Sequence, residues 1–437
     1  MLKRLLRTMF LAAVWIGAMP GTALALPLYA RQTGQQCASC HAGFPELTPF
    51  GRAFKLSGYT FGTRQDIPIS AMALASVNRI ADNSGGAYPK SGTPAVEGGS
   101  LFTGGKVTDN VGGFVQWTYN NLVQNPDGSF AGHSSIDNVD LRVTHQLSVR
   151  DVQMLVGLTL NNAPMVQDVF NSSPAWAYPY QSPKVASEGF GPLSTFIEAQ
   201  PRIAGLSAYS FIDNFLYLEL GAYRTADGIF SILRAGTTPN PLTDRVTLKG
   251  YNPYWRLTAT KNFDHGQSLT VGAFGLNAQQ YPDYTMTQGP ADRLRDLGVD
   301  AQYQFLGGGD WAATAHAYRI REHTDWRATA AAHDSPATRI TSTRMSADVI
   351  WRNKLQATLG AWRTRGDADF TGLGTVSGRG DTSGRMFEMA YMPIQNMRIG
   401  LQRTHYSTFA GLRANYDGAG RNAGSNDTTY LYVWAAY

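Results

Sequence analysis

Apolar and polar residues alternate along most of this chain, and the connections between alternating segments are by turns short and long. Val139, Leu141 and Val143 alternate with Asp140, Arg142 and Thr144. Leu216, Leu218 and Leu220 alternate with Tyr217, Glu219 and Gly221, and Leu297, Val299, Ala301, Tyr303 and Phe305 with Asp300, Gln302 and Gln304. A period of two is the signature of strands with two unlike faces. Tight connections fall at Asp109-Asn110, Ser148 to Asp151, Asp213-Asn214, Lys261 to Gly266, Gly307 to Asp310, Arg352 to Lys354 and Ile394 to Asn396. Between them lie longer polar or Gly/Pro-rich stretches near 80–97, 123–134, 162–193, 225–250, 281–292, 321–338, 366–382 and 407–427. A soluble sandwich also alternates, but it has no reason to alternate its loop lengths strictly. Outer-membrane barrels do, with short periplasmic turns, long outer loops and an even strand number. The expected fold is therefore all-β: a transmembrane antiparallel β-barrel of about 16 strands. Both chain ends would then lie on the periplasmic side.

Composition agrees. The 437 residues include 46 Gly, 20 Phe, 21 Tyr and 9 Trp, as in turn-rich barrels with aromatic girdles. Beyond the extreme N-terminus no apolar run approaches the roughly 20 residues of a spanning helix. Tyr437 ends the chain, preceded at alternate positions by Ala435, Val433 and Leu431. That pattern is similar to the terminal signal read by barrel-assembly machinery. Glu219, Arg256, Asp348 and Glu388 fall on lumen parity, where salt bridges within a polar interior are their expected role.

The first 25 residues read as a signal peptide. Lys3, Arg4 and Arg7 precede an apolar stretch from Met9 to Met19, and Ala23-Leu24-Ala25 offers small residues for cleavage. An N-terminal anchor is the alternative, which Pro20, Gly21 and the short apolar run oppose. Removing those three bases leaves 34 Lys+Arg against 32 acids, so the formal charge of +5 marks no nucleic-acid patch. The chain divides into a signal peptide (1–25), a short segment (26–66) and the barrel (67–437).

The short segment holds both cysteines. Cys37-Ala38-Ser39-Cys40-His41 is the attachment pattern for a c-type haem. Two thiols add across the porphyrin vinyl groups, and the adjacent histidine becomes the proximal iron ligand. A redox disulfide or a metal site are the other readings, but zinc needs more ligands than these three and none lies nearby. One covalent haem c is therefore expected, on Cys37 and Cys40, with His41 on the iron.

A helix signal follows. Thr48 suits an N-cap, Pro49 the first helical position and Gly58 the stop. Phe50 and Phe54 share a face expected to cover the haem. Arg52 and Lys55 are expected either to pair with propionates or to form a solvated face. The distal ligand is open, because residues 26–66 contain no Met and no His besides His41. The iron could be five-coordinate, or take Lys55 or Tyr59, or draw on the barrel, which would seat the segment inside it as a plug. By parity Met72 and His316 point inward and are the distal candidates, whereas Met154 and His145 share lipid-facing parity. His265 is expected in a tight turn, and His133, His323 and His333 in outer loops.

Around the haem motif the chain resembles the fused monohaem c-type cytochrome–porin family of the outer membrane of iron-oxidising bacteria. The resemblance rests on Ala30 to Gly34, Cys37 to His41, and Phe44-Pro45-Glu46-Leu47-Thr48-Pro49-Phe50-Gly51-Arg52-Ala53-Phe54-Lys55 with Leu56 to Tyr59. It implies a haem plug in or beneath a porin of about sixteen strands. It implies that electrons from extracellular Fe(II) cross the outer membrane of a Gram-negative bacterium to a periplasmic electron carrier. It brings Cys37, Cys40 and His41 as haem residues and no distal ligand. Two other functions compete: a conduit for another donor or in the outward direction, and a diffusion porin whose haem segment only plugs or senses. No phosphate loop, metalloprotease helix or nucleophile elbow appears in the sequence.

Overall fold

A computed structural model describes residues 27–43, 46–84, 88, 90–124, 129–166, 168–170, 181–186, 194–198, 203–237 and 247–437. The signal-peptide reading, and Phe44 and Pro45, lie outside them. Sixteen long strands follow in chain order: β1 (Ile69–Ile80), β2 (Pro94–Lys106), β3 (Val111–Gln124), β4 (Phe130–Val149), β5 (Val152–Asn161), β6 (Ile203–Ile212), β7 (Leu216–Thr225), β9 (Asn252–Phe263), β10 (Gln267–Tyr281), β11 (Asp292–Gly308), β12 (Trp311–Asp325), β13 (Ala337–Trp351), β14 (Leu355–Gly366), β15 (Thr382–Tyr391), β16 (Met397–Thr408) and β17 (Thr428–Ala436). A two-residue strand, β8 (Thr247–Leu248), caps β10. Each long strand pairs antiparallel with the next, and β1 pairs with β17 in the register Met72↔Ala436 to Ile80↔Thr428. The sheet closes on itself and leaves no edge. No helix among the described residues is long and apolar enough to cross a membrane.

The turn chemistry explains the register. Asp213 and Asn214 both take positive φ (48° and 53°), as do Arg352 and Asn353 (51° and 54°). Two successive positive φ values define the tight hairpin turn that matches strand twist. These turns lie at the end of the barrel where the chain enters β1 and leaves β17.

The burial pattern is that of a soluble protein turned inside out. Along β7, Leu218 and Leu220 are 41% and 70% exposed, while Tyr217 and Glu219 are 0% and 2%. Along β11, Leu297 and Val299 lie outside and Asp300, Gln302 and Gln304 inside. Apolar side chains facing outward from a closed sheet belong in lipid. The four charges read as luminal are all buried: Arg256 pairs with Asp300 (2.6 Å), Glu388 with Arg398 (2.7 Å), Glu219 accepts from Tyr217, and Asp348 from Gln356.

Three expectations needed correction. Val139 is buried, because the 3₁₀ turn Gly228–Arg234 lays Leu233 over it. His133 and His323 sit in β4 and β12 rather than in loops, because those strands run beyond the apolar stretch that marks them in the sequence. The described parts of the long connection after β5, expected as an outer loop, lie against luminal side chains instead. There Asn78 donates to Val185 O (2.5 Å), Gln402 to Gln181 O (2.9 Å), Thr195 N to Glu322 (2.6 Å) and Phe196 N to Asp296 (2.7 Å).

Candidate haem-attachment site

Three short helices precede the barrel: α1 (Pro27–Thr33), α2 (Cys37–Cys40) and α3 (Pro49–Leu56). The cysteine motif forms a single turn, closed by His41 N donating to Cys37 O (2.9 Å). Cys37 and Cys40 therefore stand one turn apart with His41 following at once. Neither cysteine forms a disulfide; Cys37 is buried and Cys40 half-buried.

The turn is clamped onto α3. Thr48 N donates to Cys40 O (2.9 Å) and Thr48 Oγ1 to Ser39 O (2.5 Å). The same hydroxyl caps α3 by accepting from Gly51 N (3.1 Å), with Pro49 at the first helical position, as the sequence indicated. Gly51 is fixed by close approach: a Cβ there would lie 2.3 Å from Cys40 O. Gly58 ends α3 at φ +74°, and a Cβ there would meet Arg142 and Thr144 at 3.2 Å.

Lumen groups hold the segment from many sides. Tyr59 donates to Asp140 (2.6 Å), Arg52 to Gln304 (2.9 Å), Tyr29 to Gly113 O (3.0 Å) and Tyr209 to Leu56 O (2.6 Å). Lys55 Nζ donates to Val166 O (2.7 Å) and Asp168 O (2.8 Å) of the inward-folded connection. Arg52 and Lys55 are thus not a solvated face: both are buried among protein partners. Lys55 and Tyr59, the weaker groups considered for the iron, are committed to protein oxygens. Sequence alone missed this because their partners lie far away in the chain.

Phe54 is buried against Tyr29, Tyr59 and Phe61, and half-exposed Phe50 touches Phe61 at 6.0 Å between centroids. Met72 points inward, as its parity requires. It packs against two clusters at once, one containing Cys37, Leu74 and Trp434, the other Leu28, Phe54 and Tyr59. Trp434 Nε1 contacts its sulfur. His316 is also luminal, but its Nε2 pairs with Ser346 (2.9 Å) and its Nδ1 lies 3.5 Å from Glu46. The structure thus brings Met72 to the cysteine turn and His316 to the polar side of the segment. His145 is exposed on the outer face, His265 sits in the 264–266 turn at φ 59°, and His333 lies in an outer connection.

Two residues at this site carry no mark in the sequence. Gln395 accepts from the Cys37 thiol (3.1 Å) and from Cys37 N (3.2 Å), and Met392 shares the Cys37 cluster. The only available hint was that the 392–396 turn falls at the end of the barrel where the chain enters.

Two thiols one helical turn apart, a histidine next to them and an apolar wall from Phe54, Phe61 and Met72 are residue types that a covalently attached haem would use. Among the described residues no group of three or more His, Cys, Asp or Glu side chains is placed to hold a metal ion.

Closure of the sheet and its inverted alternation define a transmembrane β-barrel whose leading segment is held by luminal side chains. No family model and no curated protein matches the chain. Among solved structures, OmpF of Salmonella typhi in complex with daunomycin is similar at 13% identity and TM-score 0.47, over 84% of this chain and 97% of that one. OmpT of Vibrio cholerae is similar at 9% and 0.46, over 84% and 96%. The outer membrane channel DcaP of Acinetobacter baumannii is similar at 11% and 0.44, over 84% and 96%. Scores this low add nothing to what the strand pairing already establishes.

Proposed function

We propose that this protein transfers electrons across the outer membrane through one haem c bound to Cys37 and Cys40, with His41 on the iron. Extracellular Fe(II) is the donor and a periplasmic electron carrier the acceptor. The observation that carries the reading is the Cys37–His41 turn, clamped by Thr48 and Gly51 and buried against the lumen at the barrel end where the chain enters.

The chain's own groups do the positioning. Thr48 fixes the spacing between the cysteine turn and α3, and Gln395 ties Cys37 to the barrel. Phe54 and Met72 keep water from the apolar side. Arg52, Lys55 and Tyr59 lock the segment to strands and to the inward connection. Haem, when bound, supplies a one-electron carrier whose potential is set by burial and ligation. The leading segment and the inward connection both occupy luminal space, which favours passage of electrons over diffusion of solutes.

The test is purified, haem-loaded protein in liposomes mixed with external ferrous iron while haem absorbance is followed. Reduction of the haem is expected. No reduction at any working pH, or rapid uptake of sugars or ions, would replace this reading with the diffusion porin.

A further inference from the structure

The cysteine turn lies at one end of the barrel, and iron outside the cell would meet the other. Between those ends, on the β4–β10 side of the lumen, runs a file of mostly buried aromatic rings with two guanidinium groups in its gaps. It begins in the leading segment, where Tyr29 and Tyr59 stack at 5.6 Å between centroids. The Arg142 guanidinium bridges Tyr59 and Tyr209, 6.0 and 5.1 Å from their centroids. Tyr209 meets Tyr217 at 5.7 Å, and Tyr217 meets Phe170 of the inward connection at 5.5 Å.

The file then continues past Arg256, which lies 5.8 Å from Phe170 and 5.2 Å from Phe274. Phe274 meets Phe196 at 4.6 Å, Phe196 meets Tyr254 at 6.2 Å, and Tyr254 meets Tyr223 at 5.6 Å. Tyr223 and Tyr254 stand two positions from the long-loop ends of β7 and β9. From Tyr217 to Tyr223 the strand alone advances about 20 Å.

Packing explains rings in a lumen, but not where the hydroxyls are placed. Tyr59 donates to Asp140 (2.6 Å) and Tyr217 to Glu219 (2.8 Å), both pairs fully buried. A phenol that loses an electron must also lose its proton, and these two each face a carboxylate able to take it. The other tyrosines of the file face a carbonyl or an amide where a partner is seen: Tyr209 faces Leu56 O and Tyr223 faces Asn161.

We infer that this file is an electron relay between the outer half of the lumen and the haem-bearing end, with Tyr59 and Tyr217 as its redox stations. The inference rests on the electron-transfer reading above. One electron leaves an external ferrous ion, which becomes ferric, and that electron ends on the ferric haem iron. In between, Tyr59 and Tyr217 each lose one electron to the station below while the phenolic proton moves to Asp140 or Glu219. Each recovers an electron from above and its proton from the same carboxylate, so nothing is consumed. The remaining rings and the two guanidinium groups close the gaps between stations.

The test uses the full-length, haem-loaded protein and two readouts. In the first, detergent-solubilised protein is treated with a water-soluble one-electron oxidant, hexachloroiridate(IV), and freeze-quenched for electron paramagnetic resonance. A tyrosyl radical is expected, and it should vanish in the Y59F/Y217F variant, which keeps both rings in place. In the second, haem reduction by external ferrous iron in liposomes should slow at least tenfold in Y217F, with dithionite reduction of the haem unchanged. E219Q, which keeps the shape but removes the proton acceptor, should reproduce that loss and covers the case of a poorly folding Y217F. The absence of a tyrosyl radical, or an unchanged ferrous rate in both Y217F and E219Q, overturns the relay. An unmodified protein that ferrous iron cannot reduce overturns the electron-transfer reading instead, while the radical experiment still judges the file.

Discussion

Replacing Arg398 by methionine tests whether the lumen charges are structural. Arg398 is fully buried and donates in three directions: to Glu388 (2.7 Å), to Gln356 (2.6 Å) and to the Tyr432 hydroxyl (2.8 Å). Glu388 is itself fully buried, and its other donors, Gln402 (2.9 Å) and Tyr432 (3.0 Å), are uncharged. Arg398→Met fills the space but leaves a buried carboxylate without its counter-charge. Breaking one side of a buried pair costs about 3–5 kcal/mol, whereas replacing both partners by apolar groups is often neutral. R398M should therefore lose about 3–5 kcal/mol, and R398M/E388L should regain most of it. The assay is unfolding in detergent, followed by circular dichroism and by the gel-mobility shift of the unfolded barrel. A single variant within about 1 kcal/mol of the unmodified protein would refute the reasoning. So would a double variant as unstable as the single one.

Gly51→Ala should push α3 away from Cys40 O, at a cost of about 1–3 kcal/mol. Covalent haem yield, read by in-gel haem peroxidase staining, should drop while the barrel still folds. Thr48→Ala removes the α3 cap and the tie to Ser39, for about 1 kcal/mol, visible as faster amide exchange over 49–56. Burial lowers the Lys55 ammonium from its usual 10.5 to about 8, with Arg142 adding to the effect and Asp140 and Asp168 opposing it. The folded state then binds fewer protons than the unfolded one between about pH 8 and 10.5, so anchoring of the segment should strengthen by about 3 kcal/mol across that window. It should be flat below pH 8, and K55M should abolish the dependence; protease cleavage of the segment at pH 7 and pH 10 measures it. Met72→Leu should alter the haem spectrum and His316→Gln should not, because Met72 packs beside Cys37 while His316 faces Ser346 and Glu46.

The barrel was legible because its cause is local. Strand alternation and connection length are properties of neighbouring residues, and the lipid-facing parity of Leu218, Leu220, Leu297 and Val299 follows from a period of two. The α3 boundaries were legible for the same reason: Thr48, Pro49 and Gly58 act on their own turn. What escaped is set by distant partners. Nothing near Arg52 or Lys55 announces Gln304 or Asp168, and nothing near Cys37 announces Gln395, 358 residues away. The inward fold of the connection after β5 escaped too, since its polar and proline-rich composition suits water as well as a polar lumen. Val139 shows the limit of parity, which gives the face a side chain occupies but not what later covers it.

The central claim is met most directly by trapping an oxidised soluble cytochrome inside liposomes that carry the haem-loaded protein and adding ferrous iron outside only. The account predicts that the enclosed cytochrome is reduced, and that C37S/C40S liposomes with an intact barrel leave it oxidised. An enclosed cytochrome that stays oxidised beside the unmodified protein, or is reduced equally beside the variant, would contradict it.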